Sequence, residues 1–231
     1  MTFTIKDFNV CSVNINVLCK QCQHYYSQMN SYHHGNLKKE LLDCALKMCE
    51  RDGYTKLSIR SLAKESNVSQ TAPYRHFKTK EELYAAVARE GFEKLYGVIS
   101  KKSTLSTKED LISAGHEYIK FGLKHSNTYD LMFGTSFGGF NKYPTLLESA
   151  NKTFELLQTN VNNISTNKDP EYIGEKCISM WAYIHGLVGI LRQVSMVPDD
   201  YKDQDGPMDL SKRASKNIDE FLRKFIEDII Q

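Results

Sequence analysis

Apolar residues recur at three- and four-residue spacing along nearly the whole 231-residue chain, and no convincing run alternates β-branched and polar residues as a half-buried strand would. That periodicity points to an all-α fold. Asn36, a good N-cap, opens the first helix, which places Leu41, Cys44, Ala45 and Met48 on one face and stops at Gly53. A short second helix follows Ser58, with Ile59, Leu62 and Ala63 together. Asn67 tolerates a left-handed turn, and Ser69 then caps a third, very short helix ending near His76 and Phe77. Thr79 with Glu82 makes a capping box for a fourth helix carrying Leu83, Val87, Phe92, Leu95 and Ile99.

Beyond it the helices lengthen. Ser106 with Glu109 opens one that reaches about Lys124, and three glycines between Gly134 and Tyr143 mark a loop. Another helix is expected from about Thr145 to Ile164. Asp169-Pro170 is an N-cap followed by proline at the first helical position, and its helix reaches about Val194. The polar Pro198–Met208 loop precedes a final helix with Ile218, Phe221, Leu222, Phe225 and Ile226. These last helices are too apolar to stand alone. They pack either on each other or, from Pro170 and from about Ser211, on their copies across a two-fold axis. Gly186 and Gly189, three apart, would permit close helix approach there.

Composition excludes several classes. With 13 Gly, 5 Pro and 41% hydrophobic residues the chain is neither collagen-like nor wholly disordered, and no run of 18 apolar residues offers a spanning helix. No membrane partner is expected. The net charge of +2 conceals an asymmetry: residues 29–80 carry +5, residues 81–231 carry −4, and residues 1–28 carry +1. A basic module for a polyanion, joined to a body with another task, fits that split. Three segments are expected: 1–28, a disordered extension or an over-called translation start; 29–80, the basic module; and 81–231, a helical bundle.

Cys19 and Cys22 form a lone C-x-x-C with Cys11 and His24 nearby, a possible tetrahedral zinc set without a second pair to support it. No metal site or cofactor is assigned. Cys44, Cys49 and Cys177 fall in helical patterns as small apolar residues, so the cysteines describe a chain of the reducing cytoplasm.

Ser58 to Phe77 reads as a helix-turn-helix, in which the second helix enters the DNA major groove and the first braces it. Ile59, Leu62, Ala63, Val68, Tyr74 and Phe77 suit a small three-helix core with the helix from Asn36. Gln70, Thr71, Arg75 and His76 are left facing outward; Gln and Arg can bond base edges bidentately, and Thr offers a hydroxyl and a methyl. Lys78 and Lys80, with the N-terminus of the following helix, supply phosphate contacts. Ser58, Arg60 and Ser69 complete the expected DNA-binding set.

The run from Gly53 to Val87 resembles the DNA-binding domain of the TetR family of bacterial transcriptional regulators. The likeness rests on Gly53-Tyr54, Ser58-Ile59-Arg60, Leu62-Ala63, Val68-Ser69, Tyr74-Arg75-His76-Phe77 and Lys80-Glu81-Glu82-Leu83. Trp181, His185 and Gly186 (W-x-x-x-H-G), with Leu131-Met132-Phe133-Gly134, resemble one subgroup of that family. The resemblance implies an all-α homodimer that binds a palindromic operator and is usually released by a small molecule. It also implies phosphate contacts from Tyr74 and Lys80 and groove-facing positions at Gln70, Thr71 and Arg75. Asn67 stands where the family commonly has Gly, and Pro73 lies inside the reading helix, tolerable only in its first turn.

In the body, Phe121, Tyr129, Met132, Phe133, Phe137, Phe140 and Tyr143, with Trp181 and His185, either line a ligand pocket or pack a core. His185 reads as a packing residue or as an acid–base group. The leading expectation is a repressor released by an effector. The alternatives are a structural or cell-division DNA-binding factor without an effector and, further off, a hydrolase using His185. No nucleophile motif or phosphate loop supports an enzyme, so no catalytic residue is assigned.

Overall fold

A computed structural model describes residues 37–101, 106–198, 200–201 and 206–230; the C-x-x-C, Asn36 and the segment boundary near Met29 lie outside them. Among the described residues there are nine α-helices and no strand, so the fold is all-α.

The first helix, α1 (Leu37–Asp52), buries Leu41, Leu42, Ala45, Leu46, Met48 and Cys49. Gly53 ends it at φ 82°, a conformation that costs glycine nothing, and a 3₁₀ turn, Tyr54–Lys56, follows. Helix α2 (Ile59–Glu65) is held at its start by a reciprocal box. Ser58 Oγ accepts from the Ser61 N–H at 3.0 Å, and the Ser58 N–H donates to Ser61 Oγ at 2.9 Å. Asn67 makes the left-handed turn at φ 52°.

The third helix expected from Ser69 is not an α-helix. Residues 69–72 form turns and Pro73–Arg75 a 3₁₀ turn with Pro73 at its first position. Pro73 has no N–H to give to the Ser69 carbonyl four residues back, and that carbonyl instead accepts from Ala72 at 3.0 Å. The His76 and Phe77 N–H groups both donate to the Pro73 carbonyl at 2.9 Å, closing the segment. Tyr74 also departs from its expected place in the core: it is 52% exposed, while Pro73 and Phe77 are buried.

The next helix, α3 (Lys80–Ser100), is 21 residues and so about 30 Å long. Thr79 Oγ1 accepts from the Glu82 N–H at 3.2 Å, and Glu82 Oε2 accepts from the Lys78 N–H at 2.7 Å. Its buried face, Leu83, Val87, Phe92, Leu95 and Ile99, runs from the head into the body. Helix α4 (Lys108–Lys124) starts one residue later than expected, capped by Thr107 with Asp110 rather than by Ser106 with Glu109. The shorter Asp110 carboxylate accepts from the N–H groups of both Ser106 and Thr107, at 3.2 and 3.1 Å.

Helix α5 (Ser126–Phe133) follows a break at His125 and is an element the sequence pattern does not assign. Helices α6 (Pro144–Ile164) and α7 (Pro170–Val194) match their expected spans, with Asp169 accepting from the Tyr172 N–H. The expected single final helix is two, α8 (Pro207–Lys216) and α9 (Ile218–Ile229), divided at Asn217.

Helix α3 is the central strut, packed on α4, α5 and α6, while α4 packs on α7 and α9. Gly91 allows the closest crossing: a Cβ there would stand 2.5 Å from Met132 Sδ and 2.8 Å from Thr128 Cγ2 of α5. Each fully buried Leu or Phe on this strut contributes about 1.5–3 kcal/mol.

Candidate functional site

The head presents one polar face. Arg60, Ser69, Gln70, Thr71, Tyr74, Arg75, Lys78 and Lys80 are exposed, while His76 and Ser58 are half-buried. The short packed turn explains the arrangement: Val68, Pro73 and Phe77 point inward, and the residues between them point out. Ser69 Oγ and Thr71 Oγ1 lie 3.2 Å apart on this face. The Ser58 hydroxyl is committed to the α2 cap, so its side chain is structural here.

The Lys80 ammonium stands 5.1 Å from the Tyr84 ring centroid. Tyr84 in turn donates its hydroxyl to the Tyr54 carbonyl at 2.6 Å, fixing the start of α3 against the head. The outward residues are donors and acceptors suited to phosphates and base edges.

In the body, α3, α4, α6 and α7, with Phe133 at the end of α5, surround a cavity of about 490 Å³. Its wall is mostly apolar: Phe92, Leu95, Leu111, Phe154, Leu157 and Ile184 among others. Leu147, Ile178 and Trp181, each more than a third exposed, stand at its rim. Of the aromatic cluster read from sequence, Phe133, Phe140 and Trp181 line this space. Phe121, Tyr129, Met132 and Phe137 are buried off it, packed into the core. Tyr143 packs edge-on against Phe137.

His185 also lies off the cavity wall. Its Nδ1 is 2.6 Å from the Tyr129 hydroxyl, its ring stacks on Tyr129 and meets Phe133 edge-on, and burial lowers its pKa. Tyr129 bonds onward to the Tyr118 hydroxyl at 3.1 Å. His185 therefore ends a part-buried polar chain, His185–Tyr129–Tyr118, behind the wall. Sequence reasoning missed Tyr118 and the α6 side chains Asn151, Phe154 and Asn160; helical spacing alone did not tell which face of α4 or α6 meets the cavity.

Two links join cavity and head. Helix α3 starts at the polar face and carries Phe92, Leu95 and Ile99 into the wall. Helix α5 holds α1 through Asn127 Nδ2, which donates to the Glu50 carbonyl at 2.9 Å, and ends at Phe133 in the wall. Asp130 of the same helix receives a bidentate pair from Arg192 at 2.5 and 2.8 Å.

On the far side of α7, Ala182, Gly186, Gly189 and Ile190 form an exposed stripe, and nothing within 4 Å would meet a Cβ at either glycine. Tyr183 beside it stacks on Phe225 of α9 at 3.6 Å, with the exposed Phe221 next in line. Among the described residues no helix is long and apolar enough to cross a membrane.

Comparison with known proteins agrees with this geometry. The family model for bacterial regulatory proteins of the tetR family matches residues 41–87, and that for the Tetracyclin repressor-like C-terminal domain matches residues 111–205. An HTH-type transcriptional repressor of Mycobacterium tuberculosis is 28% identical over 81 residues, covering 35% of this chain and 43% of that protein. The chain spans about half the length of the curated relatives it matches. A Rhodococcus protein of unknown function shares the fold at a TM-score of 0.62 and 24% identity, covering 83% of this chain and 98% of that one. The Bacillus subtilis regulator FadR, solved in complex with stearoyl-CoA, does so at a TM-score of 0.53 and 16% identity, covering 80% and 96%. The two family models together match more than half of the sequence, and the chain belongs to the TetR family of bacterial regulatory proteins.

Proposed function

We propose that the protein is a dimeric, sequence-specific DNA-binding transcriptional regulator, a repressor that a small molecule releases from its operator. The observation that carries this reading is the exposed Gln70–Arg75 face on a head of charge +5, whose other face is buried. Residues 29–80 form the reading head and residues 81–231 the body. Gln70, Thr71 and Arg75 read base edges, and Tyr74, Lys78 and Lys80 hold phosphates. The bare α7 stripe and the α9 aromatics pair with a second copy, so two heads meet successive major grooves of a palindromic site.

A ligand in the body acts through α3 and α5, because both touch the cavity at one end and the head at the other. It shifts the equilibrium between head spacings only by binding one arrangement more tightly than the other. Duplex binding followed by fluorescence anisotropy across a salt series tests the reading. Affinity should fall steeply as salt rises, with several counterions released per bound dimer. Binding indifferent to salt and to sequence would contradict it.

A further inference from the structure

Among the described residues lining the cavity none is Asp, Glu, Lys, Arg or His; the polar ones are Tyr118, Asn151, Thr153, Asn160 and Trp181. Thr153 Oγ1 donates within its own surroundings, to the carbonyls of Ser149 at 2.9 Å and Phe92 at 3.4 Å. Tyr118 is held differently. Its oxygen accepts from the Tyr129 hydroxyl at 3.1 Å. Tyr129 is turned to donate there when His185 Nδ1, 2.6 Å away on its other side, carries the hydrogen.

A phenol has one proton and two lone pairs. One lone pair of Tyr118 accepts the Tyr129 hydrogen bond, its own proton is left for another acceptor, and its ring is part of the wall. A tyrosine hydroxyl keeps its proton at neutral pH, and burial, which pushes the Tyr118 phenol up to about 12, extends that into the alkaline range.

We propose that the cavity takes an uncharged, largely apolar molecule whose single hydrogen-bond acceptor, a ketone, ester or lactone oxygen, docks on the Tyr118 hydroxyl. A carboxylate of equal length would lose its hydration and find no counter-ion among the described residues of this wall, and is rejected. Calling that molecule the effector rests on the regulator reading; the selectivity of the cavity does not.

Trp181 is the chain's single tryptophan and stands at the cavity, so its emission reports occupancy. The full chain, without DNA, is titrated with a ten-carbon methyl ketone and the ten-carbon carboxylate, each below its micelle-forming concentration. The ketone should give a saturable change, and the carboxylate should bind at least about tenfold more weakly. Tyr118→Phe should weaken the ketone about tenfold. Ala150→Phe, which fills the space from α6, should abolish its signal while helical circular dichroism is kept.

The carboxylate binding as tightly as the ketone, a ketone affinity unchanged in Tyr118→Phe, or a response surviving Ala150→Phe would each overturn the assignment. Duplex binding is read separately on the same preparations. Ketone selectivity without DNA binding defeats the regulator reading and leaves this one standing; DNA binding without that selectivity does the reverse.

Discussion

In the head, apolar side chains from α1, α2 and the Pro73 turn meet in one small core and leave Gln70, Thr71, Tyr74 and Arg75 outside. In the body, α3, α4, α6 and α7 enclose a space of about 490 Å³ that they do not fill. The first region is built to keep a surface in a fixed shape. The second keeps a void open, which forgoes packing energy there and leaves room for a molecule that restores it. On the proposed reading, a packed reading surface beside an unfilled cavity lets the ligand's energy appear as movement between heads rather than inside one.

The contrast can be broken by making the head yield. Phe77 is 2% exposed at the centre of the head core, and Phe77→Ala should cost about 3–5 kcal/mol. Thermal melting should show the loss, DNA binding should vanish with it, and the Trp181 response to ligand should survive in the folded fraction. Loss of both activities together would show that the two regions are not separable.

The joint between them is tested at Gly91. Gly91→Ala places a methyl against Met132 and Thr128 and should destabilise by about 1–3 kcal/mol, read by denaturant titration. Because α5 also grips α1, ligand response should change in the same variant more than DNA affinity does. An unaltered midpoint would mean that α3 and α5 do not cross as tightly as the structure has them.

On the head's outer face the effect should be on binding alone. Arg75→Ala should cost about 1–3 kcal/mol of duplex affinity and alter base preference, with the melting midpoint moving by no more than about 0.5 kcal/mol in stability. Tyr74→Phe should weaken all sequences alike.

The smallest effect concerns acidity in the body. Burial lowers the His185 pKa in the folded protein, so its contribution to stability is present above the ordinary histidine value of about 6.5 and is lost as pH falls toward the folded value. Wild-type melting should therefore weaken between neutral and mildly acid pH more than that of His185→Gln. Equal slopes would remove His185 from the folded proton balance.

Local chemistry made much of this fold legible in advance. Ser58, Thr79 and Asp169-Pro170 announce their helices because capping is decided within four residues. Asn67 and Gly53 mark their turns for the same reason. The reading segment was half legible: Pro73 signalled trouble for a helix, but the resulting 3₁₀ turn depends on where each carbonyl finds its next N–H. The break at Asn217 carries neither glycine nor proline, so periodicity ran through it, and α5 after His125 has no side-chain cap to announce it.

The outward positions Gln70, Thr71 and Arg75 followed from polarity and spacing. The cavity wall did not, because Tyr129 and Tyr118 belong to the same aromatic pattern and only the packing of α4 against α5 and α7 decides which one faces the space. An aromatic cluster in sequence shows that something apolar is enclosed. It does not show whether that something is core or ligand.

Selection of bound duplexes from a random pool by the full-length chain tests the central claim most directly. The claim predicts enrichment of one inverted repeat, with half-sites about one helical turn or a multiple of it apart, and a changed half-site when Gln70 and Arg75 are replaced by alanine. A pool that stays random after repeated rounds, or enriches identically for wild type and the Gln70→Ala/Arg75→Ala variant, would contradict it.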